Sequence, residues 1–127
     1  MSRVSKKRRL GLRNLREVAL TLPSMSVGGT LASMALSPID GYIDNAGYVV
    51  TTASTSTASI ITVSNGTDSV DAAATITVGA TAAVGGGSVT TFTTKPRVSK
   101  GDIVQALSNG GGTTGVVVLT VTVREFA

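Results

Sequence analysis

The chain of 127 residues has no histidine, no cysteine and no tryptophan, and its aromatic residues are two tyrosines and two phenylalanines. Without His or Cys it cannot build Ser-His-Asp or Cys-His nucleophilic sites, zinc fingers, haem ligation through those residues, or disulfide staples. No enzyme is expected, and no cofactor. Long apolar runs are also missing: the longest, near Val116 to Val123, is broken by Thr120 and Thr122 and falls well short of the ~20 residues of a spanning helix. No membrane partner is expected. A basic start followed by an apolar stretch from Ala19 to Leu36 has the outline of a secretory signal. Glu17, Pro23, Ser24, Ser26, Gly28 and Gly29 interrupt it, so the stretch is read as part of the fold.

What is present is narrow. Nineteen Thr, 17 Val, 15 Gly, 14 Ser and 14 Ala make up most of the chain, a composition of β-branched and very small residues that suits strands and turns. Charge is divided unevenly. Residues 1–16 hold seven basic groups and no acid, giving +7, whereas residues 17–127 hold four basic and seven acidic groups, giving −3; the sum is the net +4 of the whole. The chain therefore reads as a basic N-terminal arm, 1–16, and a mildly acidic body, 17–127.

In the body, Val18, Leu20 and Leu22 alternate with Ala19 and Thr21 until Pro23, which lacks an amide donor, stops the pairing. Ser24 to Pro38 has no readable register. Gly41 to Thr52 suits a long strand in which Gly47 permits a bend or bulge. Ser59 to Val63 is a short strand, Asn65-Gly66 a hairpin turn, and Thr75 to Val78 resumes the alternation. Gly85-Gly86-Gly87 then leads to a strand over Val89 to Thr94, and Lys100-Gly101-Asp102 reads as a turn into Ile103 to Leu107. The clearest pattern is last: Val117, Leu119, Val121 and Val123 share one face, marking a central strand with that face on a core. Seven or eight strands of this kind predict an all-β chain, a single antiparallel β-sandwich, with a jelly roll as the favoured topology.

Only 14% of residues are charged. Thr- and Ala-rich stretches such as Thr51 to Ser59 and Ala72 to Ala83 are too uncharged for an ordinary solvated surface, which suggests burial between subunits supplementing a lean core of Val and Ala.

The arm is the leading candidate site: Arg3, Lys6, Lys7, Arg8, Arg9, Leu10, Leu12, Arg13, Leu15 and Arg16. By itself such a segment has too little apolar surface to offset its ordering entropy, and the plainest reading is a solubilising tail. Its functional readings are phosphate binding or docking on an acidic protein surface. Leu10, Leu12 and Leu15 interleave with the guanidinium groups, so the arm can bury apolar contacts while its arginines pair with carboxylates. It has no aromatic residue to stack on bases. Both features favour a protein groove. Asp40, Asp44, Asp68 and Asp71 lack the ligand density of a calcium loop, so no metal site is expected, and as a carboxylate pair they have no substrate-stacking aromatics beside them. They read as turn residues bonding their own backbone. The glycine triplets at 85–87 and 110–112 precede no Lys-Ser/Thr and no helix, so they are loop tips and not phosphate loops. Asn65-Gly66-Thr67 matches a glycosylation triplet but is better explained as a turn.

The stretches ASIITVSNGTDS (58–69), ATITVGATAAVGGGSVTTFT (74–93) and VSKGDIVQALSNGGGTTGVVVLTVTV (98–123) resemble the small jelly-roll-like decoration (cement) and head-fibre proteins of tailed bacteriophages. The shared pattern is Lys100-Gly101-Asp102 leading into a strand, a Gly-rich loop at Ser108 to Gly115, and a closing alternating strand at Val116 to Val123. The resemblance spans roughly residues 40–126 and leaves the arm out. It implies a non-enzymatic homotrimer on the outer surface of the virion capsid that clamps neighbouring major capsid subunits, and the arm would then dock on the capsid. An alternative is a small jelly-roll coat protein whose basic arm binds packaged nucleic acid, for which a +7 and −3 split is also suitable. A third is a head-fibre or receptor-binding module, for which Tyr42 and Tyr48 are the candidate sugar platforms.

Overall fold

The computed structural model describes residues 16–28, 32–54, 57–67, 73–111 and 114–126. Among these residues the chain forms ten strands and no helix: β1 (Glu17–Thr21), β2 (Met25–Ser26), β3 (Ala32–Leu36), β4 (Gly41–Thr52), β5 (Ser59–Asn65), β6 (Ala74–Val78), β7 (Gly87–Thr91), β8 (Arg97–Val98), β9 (Ile103–Ser108) and β10 (Val116–Glu125). They make two antiparallel sheets. One has the order β1-β10-β4-β7, with β2 added beside β10 and β8 beside β4; the other has the order β3-β9-β5-β6. The chain is an all-β sandwich, as the composition and alternation require.

Joining β1 with β2 and β7 with β8 leaves eight principal strands. Their outermost pairings are nested: the first pairs with the last, β1 with β10; the second with the seventh, β3 with β9; the third with the sixth, β4 with β7; and the fourth with the fifth, β5 with β6. Most connections therefore cross from one sheet to the other.

The core lies between the sheets and is aliphatic. On β10, Val117, Leu119, Val121 and Val123 are all 0% exposed, and β4 meets them with Val50, Tyr48, Ala46 and Ile43 in register. From the other sheet come Val63, Ile61, Ile76, Val78, Val104 and Ala106, all buried. Phe92 is the one aromatic side chain within this buried set. Each fully buried Val, Leu or Ile contributes about 1.5–3 kcal/mol, so cohesion rests on many similar small terms.

The segment 24–38, whose register the sequence leaves open, is fixed by hydrogen bonds from distant strands. The Val27 carbonyl accepts from the Ser59 hydroxyl at 3.2 Å and from the Ser108 hydroxyl at 2.9 Å, and the Val27 amide donates to the Gly115 carbonyl at 3.0 Å. The Ser33 hydroxyl donates to the Pro23 carbonyl at 2.6 Å. These buried serines tie β5, β9 and β3 to the opposite sheet, where a hydroxyl without a partner would be costly.

Two expectations are corrected. Gly47 is not a bulge: it sits in register opposite Thr120 and Val89, and the register shifts of β10 against β4 instead leave Thr51 and Asp44 as the extra residues. Nor is Asn65-Gly66 a two-residue hairpin. Asn65 is buried and paired with Val104, Gly66 does not adopt positive φ, and the β5–β6 ladder ends at Val63 opposite Ala74. Positive φ is instead found at Gly101, φ 91°, in the turn before β9. Gly87 opens β7 because a Cβ there would overlap the Tyr48 carbonyl oxygen.

Truncating Leu119 to Ala is expected to cost about 2–5 kcal/mol through lost burial and an unfilled cavity. Val118→Ala on the outer face of the same strand is expected to cost under about 1 kcal/mol. Urea unfolding of the two variants checks the difference.

Candidate functional site

Among the described residues, charge is confined to one end of the sandwich. The ten charged residues among those described are Arg16, Glu17, Asp40, Asp44, Lys95, Arg97, Lys100, Asp102, Arg124 and Glu125. Strand direction brings them together: β1 and β4 begin here, β10 ends here, and the turn into β9 lies alongside. The opposite end, formed by described segments within 22–28, 52–58, 79–86 and 109–115, has no charged residue. The strand interiors between the two ends have none either.

Cross-strand register aligns the first row of this pole as Arg97, Tyr42, Arg124 and Glu17, on β8, β4, β10 and β1. Arg124 pairs with Glu17. Phe126 continues the row past the end of β10: its ring lies 6.0 Å from that of Tyr42, and the Arg97 guanidinium sits 4.7 Å over it, within cation–π range. The next row joins Arg16 to Glu125. The Arg16 Nη2 lies 3.1 Å from Glu125 Oε2, and the Glu125 amide donates to the Arg16 carbonyl at 2.9 Å.

Asp44, the bulged residue of β4, is the hub. It is 8% exposed. Its Oδ1 accepts from Lys95 Nζ at 2.7 Å, its Oδ2 accepts from Asn45 Nδ2 at 3.1 Å, and Arg124 Nη2 stands 3.8 Å from Oδ2. Lys95 also donates to the Phe92 carbonyl at 2.6 Å. The Lys95 hydrogen bond holds the Asp44 carboxyl below its ordinary value; burial opposes this, while Asn45 and the charges of Lys95 and Arg124 add to it. Asp102 is lowered too, first by the Ser99 amide at 2.9 Å and then by Asn65 Nδ2 at 2.8 Å. Asp40 accepts from the Lys100 amide at 2.7 Å.

All five described acids are thus engaged within the body. The expectation of turn residues bonding their own backbone fits neither Asp40, which takes the amide of Lys100, nor Asp44, which lies inside β4. Asp68 and Asp71 lie outside the described residues, as do Arg3, Lys6, Lys7, Arg8, Arg9, Leu10, Leu12, Arg13 and Leu15 of the arm. Arg16 is the one described member of that arm, and its carbonyl accepts from the Glu125 amide just beyond the last β1–β10 pair, Glu17 with Arg124. The arm therefore joins the body at the charged pole. Tyr48 packs against the core and Tyr42 is half-buried under Phe126, so neither is an open platform for a sugar ring.

The sequence alone does not assemble this pole. Lys95 and Arg97 lie far in the chain from Arg124 and Glu125, and the one signal in the sequence is that the described charges fall at or near strand ends. Comparison with protein-family models, curated proteins and solved structures finds no match to this chain.

Because the folded state favours ionised Asp44, its contribution to stability is complete above the usual carboxylate value near 4 and is lost as the pH falls through the lower folded value. Asp44→Asn is expected to cost about 1–2 kcal/mol at pH 7 and to flatten the loss of stability below about pH 4. Thermal unfolding of both proteins over an acid pH series measures this.

Proposed function

We propose that this chain is a structural virion protein, a bacteriophage capsid decoration (cement) protein, which binds the outer surface of the head and clamps neighbouring major capsid subunits. The observation that carries this reading is the partition of charge. Six basic residues in positions 1–15 join the body at its charged pole, where every described carboxylate already has a partner. Glu17, Asp44 and Glu125 are already ion-paired within the body, and six cations exceed the charge of the two remaining described acids, Asp40 and Asp102, so a net positive arm is left to meet an acidic surface of another protein. Leu10, Leu12 and Leu15 add apolar contacts that a purely electrostatic tail would lack.

Two further features support the reading. The nested pairing of eight principal strands in a β-sandwich suits a jelly roll, two interlocked Greek keys, an architecture used repeatedly in viral shells. A body whose faces are uncharged and whose arm is basic also suits attachment in many symmetric copies, where weak contacts add by avidity.

Binding to isolated capsids is expected to weaken as salt rises, because the arm's pairs are exposed and screened, and to fall at least roughly tenfold when residues 1–15 are deleted. Cosedimentation with capsids, with and without the deletion, reads both, and heat resistance of the decorated heads should fall in parallel. Undiminished binding by the deleted form would remove the docking role of the arm. Crosslinks from the arm to packaged nucleic acid on the inner surface would instead favour the coat-protein reading.

A further inference from the structure

The outer face of the four-stranded sheet is apolar in a way a solvated sheet face is not. Register brings Leu36 beside Ile103 and Met34 beside Gln105, with Leu107 next to Thr62 on β5 and Ile60 two residues further along β5 on the same face. Leu36 is 65% exposed, Met34 48%, Ile60 43% and Leu107 37%. These are four of the eight large apolar side chains exposed among the described residues, gathered on one side of one sheet. Among its described residues the face carries no charge, and its edge strand β3 has none either, although edge strands are ordinarily protected by charge.

We infer that this face is a self-association surface that packs against the same face of a second copy of the chain. A partner bearing charge would have to desolvate it against a surface that offers no counter-charge; an identical face brings none. The area is adequate. Four strands at about 4.8 Å and five to six residues at about 3.3 Å span roughly 20 by 18 Å, which with side-chain relief offers on the order of 600 Å². A standard interface buries about 800 Å² per partner, so the pair should be concentration-dependent rather than permanent. One face packed on its own copy gives a twofold pair, in place of the homotrimer that the resemblance to decoration proteins implies. One face meeting its own copy closes with no surface left over to propagate.

Sedimentation velocity of the full chain over roughly a hundredfold range of concentration tests this. The wild type is expected to pass from monomer to dimer. Met34→Lys and Ile60→Lys, two strands apart on the same face, should each raise the dimer dissociation constant at least roughly tenfold. Val89→Lys, on the outer face of the other sheet, should dimerise as the wild type does. Circular dichroism and melting temperature identify any variant that fails to fold, and Thr62→Lys on the same face is the replacement. A wild type that stays monomeric, a trimer, loss of association with Val89→Lys alone, or loss with Met34→Lys but not with Ile60→Lys, which would indicate edge pairing through β3, each overturns the proposal. None of these outcomes depends on binding to a capsid.

Discussion

The pairing of β10 with β4 is the constraint on which the rest of this sandwich depends. It runs from Val116 to Glu125 with two one-residue shifts, and it presents four consecutive inward aliphatic side chains to the opposite sheet. A chain with so few aromatic residues has no single large anchor, so the two sheets are held by matched rows of Val, Ile, Leu and Ala. Such rows tolerate no register slip, because a one-residue shift would turn the whole set outward. The bulge at Asp44 follows from the same ladder. It rotates a carboxylate out of the core side at the end of the sheet, where Lys95 and Arg124 can reach it.

That ladder also separates the surface into regions of different chemistry. Where β4 begins and β10 ends, opposite charges meet in cross-strand rows and neutralise one another. Beyond those rows the described residues of both sheets are uncharged: Thr, Val, Ala, Ser and Gly, a few larger apolar side chains, and isolated amides such as Asn45 and Gln105. The body thus has a polar end to which the basic arm is attached and broad faces suited to other copies or to neighbouring protein. The proposed docking of the arm and the proposed pairing of the faces are physically independent: the first would be electrostatic and weaken with salt, the second apolar and insensitive to it.

The alternation of Val117, Leu119, Val121 and Val123 was legible in the sequence because a half-buried strand imposes period two on its own residues. The placement of Val27 was not, because it depends on hydroxyls of Ser59 and Ser108 that arrive from 32 and 81 residues away. Asp44 is hard to place from sequence for a related reason: an Asp near a glycine looks like turn chemistry until the register shift places it inside a strand. The charge split of the chain was plain from counting, but the gathering of Glu17, Asp44, Lys95 and Arg124 into one pole required the pairing of strands that are far apart in sequence.

Asn65-Gly66 and Asn109-Gly110 are the two Asn-Gly pairs of the chain, the dipeptide that deamidates most readily when the glycine nitrogen swings onto the asparagine side chain. Both nitrogens are occupied. Gly66 donates to the Ile103 carbonyl at 2.7 Å, and Gly110 donates to the Ser108 hydroxyl at 3.1 Å. The side chains are held as well: Asn65 by Arg97, Asp102 and Thr67, and Asn109 by the amides of Ile60 and Gly111. Hydrogen bonds that define the turn regions beside β9 thereby also hold both pairs away from the geometry in which the glycine nitrogen attacks the asparagine carbonyl carbon.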